Sequence, residues 1–314
     1  MIHAYALEPE LVASWGRLAE FRVFHDKFGL GTPRVMLELP SFSKWKRAVY
    51  TAATALEISQ EDLKRIEELF RLLGECKCSR ADRGYHGRSW LERAEHEYDR
   101  KSFAAILATA NPRGHGAVLV DDQLVPTEPR WEFARSATIS RTPEALAAAL
   151  SPMLINCRDL HLVDPHFGPE KVRYQRVLEA LMSVLAENET VPEVVRVHCL
   201  ESLEKPSLAF FEQGARSMAE RLPIGIKVEF VRLRQRDGGD ILHDRYVLTD
   251  LGGVSVSVGL DAGEEGETTD LFLLSQDQYA RRWSQYVDNN GTFERADAPA
   301  AVTGSRRAHA PRGR

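Results

Sequence analysis

Residues 241–250 read Ile-Leu-His-Asp-Arg-Tyr-Val-Leu-Thr-Asp, and this stretch gives the strongest indication of the fold. It places His243, Arg245 and Asp250 in the frame H-x-R-x4-D, where an apolar run predicts the start of a β-strand. Side chains two residues apart lie on the same face of a strand. We therefore expect His243 and Arg245 to point the same way.

Two such side chains on one face suit the cleavage of a phosphodiester without a metal ion. The reaction needs a nucleophile for phosphorus, a cation for the non-bridging oxygens and an acid for the leaving oxygen. A histidine held by a carboxylate can act as the nucleophile, and an arginine offers a planar charged group that matches two phosphate oxygens. His243 and Arg245 are the candidates for these roles. The alternative is a surface ion pair between Asp244 and Arg245 without a catalytic role.

Composition describes an ordinary globular protein. The chain has 314 residues, of which 43% are hydrophobic and 28% charged, and its formal net charge is −5. This length predicts two domains, and the net charge argues against a globally basic nucleic-acid-binding protein while allowing a local basic face. The four cysteines predict a reducing compartment rather than a disulfide framework. Because we predict neither a signal peptide nor a membrane span, we expect a cytoplasmic location.

The pattern of apolar residues predicts an α/β protein in three parts. Residues 1–135 are predicted to form a mainly helical domain of unknown role, because apolar residues recur at helical spacing up to about residue 75. Over residues 136–290, predicted strands alternate with helices, which indicates a mixed, mostly parallel sheet flanked by helices. Residues 291–314 are rich in Ala, Arg, Gly and Pro, and this composition predicts a disordered tail.

The sequence after the H-x-R-x4-D frame adds two further matches. Gly259-Leu260-Asp261 ends the next predicted strand, and Asp270 opens the one after it. In this order the motifs resemble one half of the phospholipase D-like fold, over residues from about 140 to 287. The combination of His-Asp-Arg with Gly-Leu-Asp is closer still to the phospholipase D-like C-terminal domain that is attached to MIT domains. Domains with both motifs also occur in bacterial proteins, including parts of anti-phage defence islands.

The resemblance assigns a role to most of the matching residues. It implies that His243 is the nucleophile and that Asp270 orients it. Asp250 and Gly259 are implied to be structural. Asp261 lies where the family has an asparagine, which makes it a candidate for substrate binding.

Two departures from the family pattern bear on catalysis. Arg245 stands where the family has a lysine, so a compact ammonium is replaced by a wide guanidinium. Leu260 stands where the family has a hydroxyl residue. The MIT-linked relatives are generally regarded as lipid- or protein-binding domains. The resemblance therefore favours the fold more strongly than it favours hydrolysis.

The function implied by the resemblance is a metal-independent phosphodiesterase, and more specifically a nuclease, that forms a phosphohistidine. Family sites use two histidine frames and this chain has one, so a homodimer is implied, in which His243 of the second copy acts as the acid. Bacterial anti-phage defence is the implied context, with nucleic acid as the partner and no cofactor. The alternative is a non-catalytic phospholipase D-like module that binds phosphate groups, nucleic acid or a partner protein.

Further binding candidates lie outside the motif. Asp164 and His166 follow the first predicted strand of the α/β region, at the edge where such folds bind ligands, so either could line a pocket or belong to a turn. Arg234 and Arg236 alternate with Arg232 just before the motif and could form a basic track that binds nucleic acid. The alternative for these arginines is a solvated strand edge.

Three other groups are expected to be structural. Cys76-Lys77-Cys78 with His86 invites a zinc interpretation, but the C-x-C spacing is unusual and a fourth ligand is not evident. His161 and His198 lie in apolar strands and are expected to belong to the core. The tryptophans of residues 1–135 are expected to pack in the core or to form a surface for a protein partner.

Overall fold

A computed structural model of the chain describes residues 1–80, 84, 87–201, 206–288 and 290–307. The chain divides into two compact units, Met1–Arg135 and Ser136–Arg314, and each has a sheet of its own. Over the described residues, no helix combines the length and apolarity that crossing a membrane requires.

The unit Met1–Arg135 is built on a parallel sheet, so the prediction of a mainly helical domain is wrong. Its strands are β1 (His3–Leu7), β2 (Arg34–Glu38), β3 (Lys77–Ser79), β4 (Ala105–Leu107) and β5 (Val118–Leu119). Its helices are α1 (Pro9–Ser14), α2 (Leu18–Phe24), α3 (Phe42–Ala55), α4 (Gln60–Glu75) and α5 (Trp90–Arg100). The strands pair in the order β3-β2-β1-β4-β5, all parallel. They are short and largely buried on both faces, so they lack the alternation that reveals a strand in the sequence.

Aromatic side chains fill the core of this first unit. Trp15, Trp45 and Trp131 are at most 3% exposed and belong to one cluster of buried residues. The indole nitrogen of Trp45 donates to the carbonyl oxygen of Leu7 at 2.7 Å, and the guanidinium of Arg34 lies 4.1 Å from the ring centre of Trp131. The prediction that these tryptophans form a core is confirmed, while the predicted partner surface stays a prediction.

The second unit contains a nine-stranded sheet with helices. Its strands are β6 (Ser136–Ser140), β7 (Leu160–Val163), β8 (Val195–Leu200), β9 (Lys227–Gln235), β10 (Tyr246–Thr249), β11 (Gly252–Val256), β12 (Thr268–Leu273), β13 (Phe293–Arg295) and β14 (Ala300–Thr303). Its α-helices are α6 (Pro143–Leu154), α7 (Val172–Leu185), α8 (Leu208–Ser217) and α9 (Gln276–Tyr286). The strands lie in the order β13-β9-β8-β7-β10-β11-β12-β6, and β14 also pairs with β9.

The sheet of this unit is mixed, as predicted, but it is not mostly parallel. Among the described strands of this second unit, only β7, β8 and β9 run parallel to one another. The other pairings are antiparallel, and β10 and β11 form a hairpin joined by Asp250 and Leu251. The α/β class with a mixed sheet and flanking helices is confirmed.

The predicted disordered tail is also corrected, up to residue 307 where the described residues end. β13 and β14 both pair with β9, and Phe293 and Val302 are buried. Composition alone could not show this, because the two strands find their partner in a distant strand edge whose backbone groups need hydrogen bonds. Residues 308–314, which also belong to the predicted tail, lie outside the described residues.

Removing residues 291–314 should destabilise the second unit by several kcal/mol. The truncation uncovers an edge of β9 and removes two buried apolar side chains, each of which contributes about 1.5–3 kcal/mol. Removing residues 308–314 alone keeps both strands and serves as the control. Thermal unfolding followed by circular dichroism measures the difference, and equal unfolding temperatures for the two truncations would contradict the role of β13 and β14.

Candidate functional site

The motif residues His243 to Arg245 lie immediately before β10 rather than within it. Tyr246, the first residue of β10, pairs with Val163, the last residue of the antiparallel strand β7. The motif therefore lies just beyond the carboxyl end of β7, at the edge where α/β folds commonly bind ligands. The amide of Val256 donates to the carbonyl oxygen of Arg245 at 3.0 Å, which holds this segment against the end of β11.

Asp244 is fixed from two elements. Its Oδ2 accepts a hydrogen bond from the hydroxyl of Tyr246 at 2.7 Å and another from Nη2 of Arg282, on α9, at 3.2 Å. The hydrogen bond from Tyr246 is the main reason that the pKa of Asp244 lies below its ordinary value, and the neighbouring His243 and Arg282 add to the effect. Asp244 is therefore an ionised and oriented carboxylate at neutral pH.

His243 is an exposed imidazole beside this carboxylate. Its Nδ1 lies 3.5 Å from Oδ1 of Asp244, and its side chain is 74% exposed. It lines an open cleft of about 400 Å³ between the sheet and α9. The residues that line the cleft are His243, Asp244, Arg245, Tyr246, Ser255, Val256, Ser257, Phe272, Leu274, Gln278 and Arg282.

Arg245 lines the same cleft, as the sequence predicts for the pair, but it is more enclosed than His243. Its Nε is buried, and no hydrogen-bond acceptor among the described residues reaches it. Burial raises the pKa of Asp164 and of Tyr174, and the positive charge of Arg245 opposes the rise in both. The guanidinium thus acts electrostatically on a buried carboxylate as well as on the cleft.

Asp164 and Asp261 are buried and bonded within the protein, and neither lines the cleft at His243 among the residues described there, so their assignment to substrate binding stays a prediction. Asp164 is fully buried and accepts hydrogen bonds from the backbone amides of His166 and Leu260, both at 2.8 Å. Asp261 is 2% exposed and forms ion pairs with two arginines. The arginines are Arg141 and Arg173, the latter with 3.1 Å between Nε and Oδ2. These bonds give both carboxylates a structural role in the turn after β11.

Gly259 allows these two carboxylates to approach the turn after β11. A Cβ at this position would lie 2.7 Å from Oδ1 of Asp261 and 3.4 Å from Oδ2 of Asp164. The structure thus supports the structural role that the resemblance implies for Gly259. Asp250 is also structural, since its Oδ1 accepts from the backbone amides of Arg158 at 2.7 Å and Asp159 at 3.2 Å.

Asp270 does not contact His243 in the described structure. Its Oδ1 accepts a hydrogen bond from the hydroxyl of Thr138 at 2.6 Å, because β12 pairs with β6 at this position. The carboxylate that contacts the imidazole is that of Asp244, so Asp244 replaces Asp270 as the residue that can orient His243.

The arginines of the expected basic track, Arg232 and Arg234 on β9 and Arg236 just after it, all have acidic partners. Arg234 pairs with Glu201 at 3.2 Å, and Arg236 pairs with Glu294 at 3.5 Å. Arg232 is buried and pairs with Asp297 at 2.8 Å. Each charge is thus taken up by a carboxylate from a neighbouring segment, and Arg234 and Arg236 do not line the cleft among the residues described there. The exposed His166 likewise lies outside the cleft lining.

Several cleft residues were not predicted. Arg282 and Gln278 lie on α9. The sequence of a helix does not show which strands its polar face will lie beside, so these two residues could not be predicted. Ser255 lies on β11 and Ser257 directly after it, two residues apart and therefore on the same face. Phe272 lies on β12, where it pairs with Ser255. The one available clue was an apolar residue, Phe272, at a position that the alternation of β12 assigns to its outer face.

The zinc interpretation gains no support from the described residues. In that part of the chain, no group of three or more His, Cys, Asp or Glu side chains is arranged to hold a metal ion. Cys76 and Cys78 are buried, and Sγ of Cys78 donates to the carbonyl oxygen of Met36 at 3.4 Å. His86, the third residue of that interpretation, lies outside the described residues.

His161 and His198 form a buried pair, which confirms that they belong to the core. Nδ1 of His161 lies 3.0 Å from Nε2 of His198, and the ring of Trp283 packs against His161. Burial lowers the pKa of His161 to about 4, with Arg196 adding to the shift, and burial also lowers the pKa of His198 well below its ordinary value. Both imidazoles are therefore neutral in the folded protein at neutral pH.

Comparison of the chain with protein-family models and with curated proteins finds no match.

The buried histidine pair should make the fold sensitive to mild acid. The unfolded chain takes up a proton near pH 6.5, whereas the folded pKa of His161 is about 4, so stability falls as the pH drops between these values. Between pH 7 and pH 5 we expect His161 to account for a loss of about 2 kcal/mol. Urea titrations at the two pH values measure it. The loss should shrink in His161→Asn and persist in the control His166→Asn, and an equal loss in both variants would contradict the assignment.

Gly259→Ala should destabilise the protein by about 1–3 kcal/mol, because the added methyl group collides with the carboxylate of Asp261. Gly116→Ala is the matched control, since a Cβ there meets open space and its backbone conformation suits any residue. Thermal unfolding of the two variants against the parent protein tests the difference. An unchanged unfolding temperature for Gly259→Ala would show that the turn is not constrained as described.

Proposed function

We propose that the cleft at His243 binds a phosphodiester and that a homodimer of the chain hydrolyses it without a metal ion, with nucleic acid as the substrate. The observation that carries the proposal is an exposed imidazole 3.5 Å from a carboxylate that Tyr246 and Arg282 position, in a cleft that also contains Arg245. The cleft thus supplies a nucleophile for phosphorus and cations for the non-bridging oxygens, and the acid for the leaving oxygen remains to be supplied.

The imidazole geometry supports covalent catalysis by Nε2 of His243. A proton on Nδ1 directed towards Asp244 would leave the Nε2 lone pair available to attack phosphorus. In the first step the P–N bond forms and the P–O bond to the leaving group breaks. In the second step water attacks phosphorus, the P–N bond breaks, and the phosphorylated product leaves.

A second copy of the chain would supply the proton transfers. Among the described residues that line the cleft, His243 is the single imidazole, so a second imidazole acting as the general acid would come from another molecule. His243 of the second copy would protonate the leaving oxygen in the first step and take a proton from water in the second. A twofold axis through the site would make the two copies equivalent.

The fold supports a relationship to the phospholipase D-like proteins at the level of a mixed sheet with flanking helices. The membership, the cytoplasmic location and the role in bacterial anti-phage defence belong to the proposal. The membership and the defence role rest on the resemblance of the H-x-R-x4-D and Gly-Leu-Asp motifs, and the location rests on the sequence-based prediction of neither a signal peptide nor a membrane span.

A second candidate is a non-catalytic module that holds phosphate groups. Two observations favour it. Asp270 is engaged by Thr138 and is therefore not the orienting acid that the family uses. Leu260 is buried where the family has a hydroxyl, so the cleft has no hydroxyl from that position. In this module Arg245 and Arg282 would bind the anion, and no ligand would be hydrolysed at His243.

Incubation with plasmid, single-stranded DNA and RNA in EDTA separates the two candidates. Hydrolysis predicts cleavage by the parent protein and a loss of at least about a hundredfold in His243→Ala, because the nucleophile is absent. His166→Ala removes an exposed histidine outside the cleft and should keep full activity.

The outcomes of this experiment are distinct. Cleavage that survives in His243→Ala, or that requires a divalent metal, would contradict the proposal. Binding of nucleic acid without turnover would favour the module. Light scattering tests the dimer, and a monomer that cleaves would contradict the second-copy acid.

A further inference from the structure

Phe272 is exposed beside the candidate cleft. Along β12, Thr269, Leu271 and Leu273 are buried, whereas Phe272 is 46% exposed on the other face of the strand. The ring lines the same cleft as His243, Arg245 and Arg282. An apolar ring therefore lies next to the groups that would bind a phosphate.

The neighbours of Phe272 leave its ring uncovered. In the register of the sheet it pairs with Ser255 on β11 and with Ser136 on β6. Both side chains are small, so neither covers the ring from the side. Thr138, which lies two residues further along β6, also has a small side chain. Phe272 thus lies on a sheet face that carries these hydroxyl residues and the carboxylate of Asp270, which accepts a hydrogen bond from Thr138.

We propose that Phe272 stacks a nucleobase of a single-stranded nucleic acid whose backbone phosphate lies at His243, an inference that rests on the proposed function. Proteins bind single strands by combining cations that hold the backbone with aromatic rings on which unpaired bases stack. The cleft supplies Arg245 and Arg282 for the phosphate, and Phe272 supplies the ring. Bases within a duplex are already stacked and paired, so the site selects an unpaired strand.

The hydroxyls around the ring fit the same ligand. Ser255, which pairs with both Tyr246 and Phe272, and Ser257 line the same cleft. Hydroxyl groups can donate to phosphate or sugar oxygens without reading the sequence of bases. We therefore expect a preference for single strands over duplexes and little preference among bases.

Fluorescence anisotropy with labelled oligonucleotides tests the inference on the full chain in EDTA. The probes are a 20-nucleotide single strand of thymidines, an abasic strand of the same length, and a duplex of the same length. All are measured in the His243→Ala background, so that cleavage does not alter the probe. We expect the single strand to bind more tightly than both other probes.

Phe272→Ala should weaken binding of the single strand about tenfold and leave binding of the abasic strand unchanged, because only the stacking contribution is lost. Phe272→Trp should retain binding. Phe210→Ala is the matched control, since Phe210 is 53% exposed on α8 and does not line the cleft among the residues described there. Equal binding of the base-bearing and abasic strands, or an unchanged affinity in Phe272→Ala, would overturn the inference.

The remaining outcomes separate this inference from the proposed function. Base-dependent binding at Phe272 without cleavage by the parent protein would overturn hydrolysis and leave the stacking site standing. Cleavage with equal rates on base-bearing and abasic strands would overturn the stacking site alone. No binding of any oligonucleotide, or binding of anionic lipid vesicles in preference to the single strand, would overturn both.

Discussion

The carboxylate of Asp164 accepts two backbone hydrogen bonds at the end of β7, one from His166 and one from Leu260, and the edge that carries the cleft depends on this arrangement. The donor at residue 260 belongs to the turn that follows β11, so a single buried acid joins two chain segments that are distant in sequence. A buried carboxylate is costly unless its lone pairs are satisfied. Here two backbone donors satisfy it, and the charge of Arg245 lies near enough to favour its ionised form.

At this edge of the sheet, some residues are tightly bonded within the protein, whereas others are exposed to solvent. On the rigid side, Asp261 is held by Arg141 and Arg173, and Gly259 leaves room for the carboxylates. On the open side, His243 extends into solvent, and only Asp244 contacts its ring among the described hydrogen-bond partners. A reactive group mounted on a rigid support is the arrangement expected of a site that must hold its geometry while a ligand enters and leaves.

The balance between catalysis and simple binding depends on the acid beside the imidazole. Asp244 neighbours His243 in the chain, and its position is set by Tyr246 and Arg282 rather than by the strand that carries Asp270. A carboxylate supplied from the motif itself can fix the imidazole tautomer without help from β12. The cleft also differs from the expected pattern by bringing an arginine from α9, which adds a second cation where the sequence indicated one.

The sequence by itself determined the α/β class of the second unit, the position of the motif beside a strand, and the buried character of His161 and His198. These features follow from local apolar periodicity and from short motifs, which a single chain segment carries. Only the tertiary structure decided that Met1–Arg135 contains a parallel sheet, that β13 and β14 cover β9, and that Asp164 and Asp261 are internal supports. It also placed Arg282 and Phe272 at the cleft, and it showed that Asp270 accepts a hydrogen bond from Thr138. The physical reason is that burial, strand pairing and salt bridges depend on which distant segments meet, and no local pattern of residues records that choice.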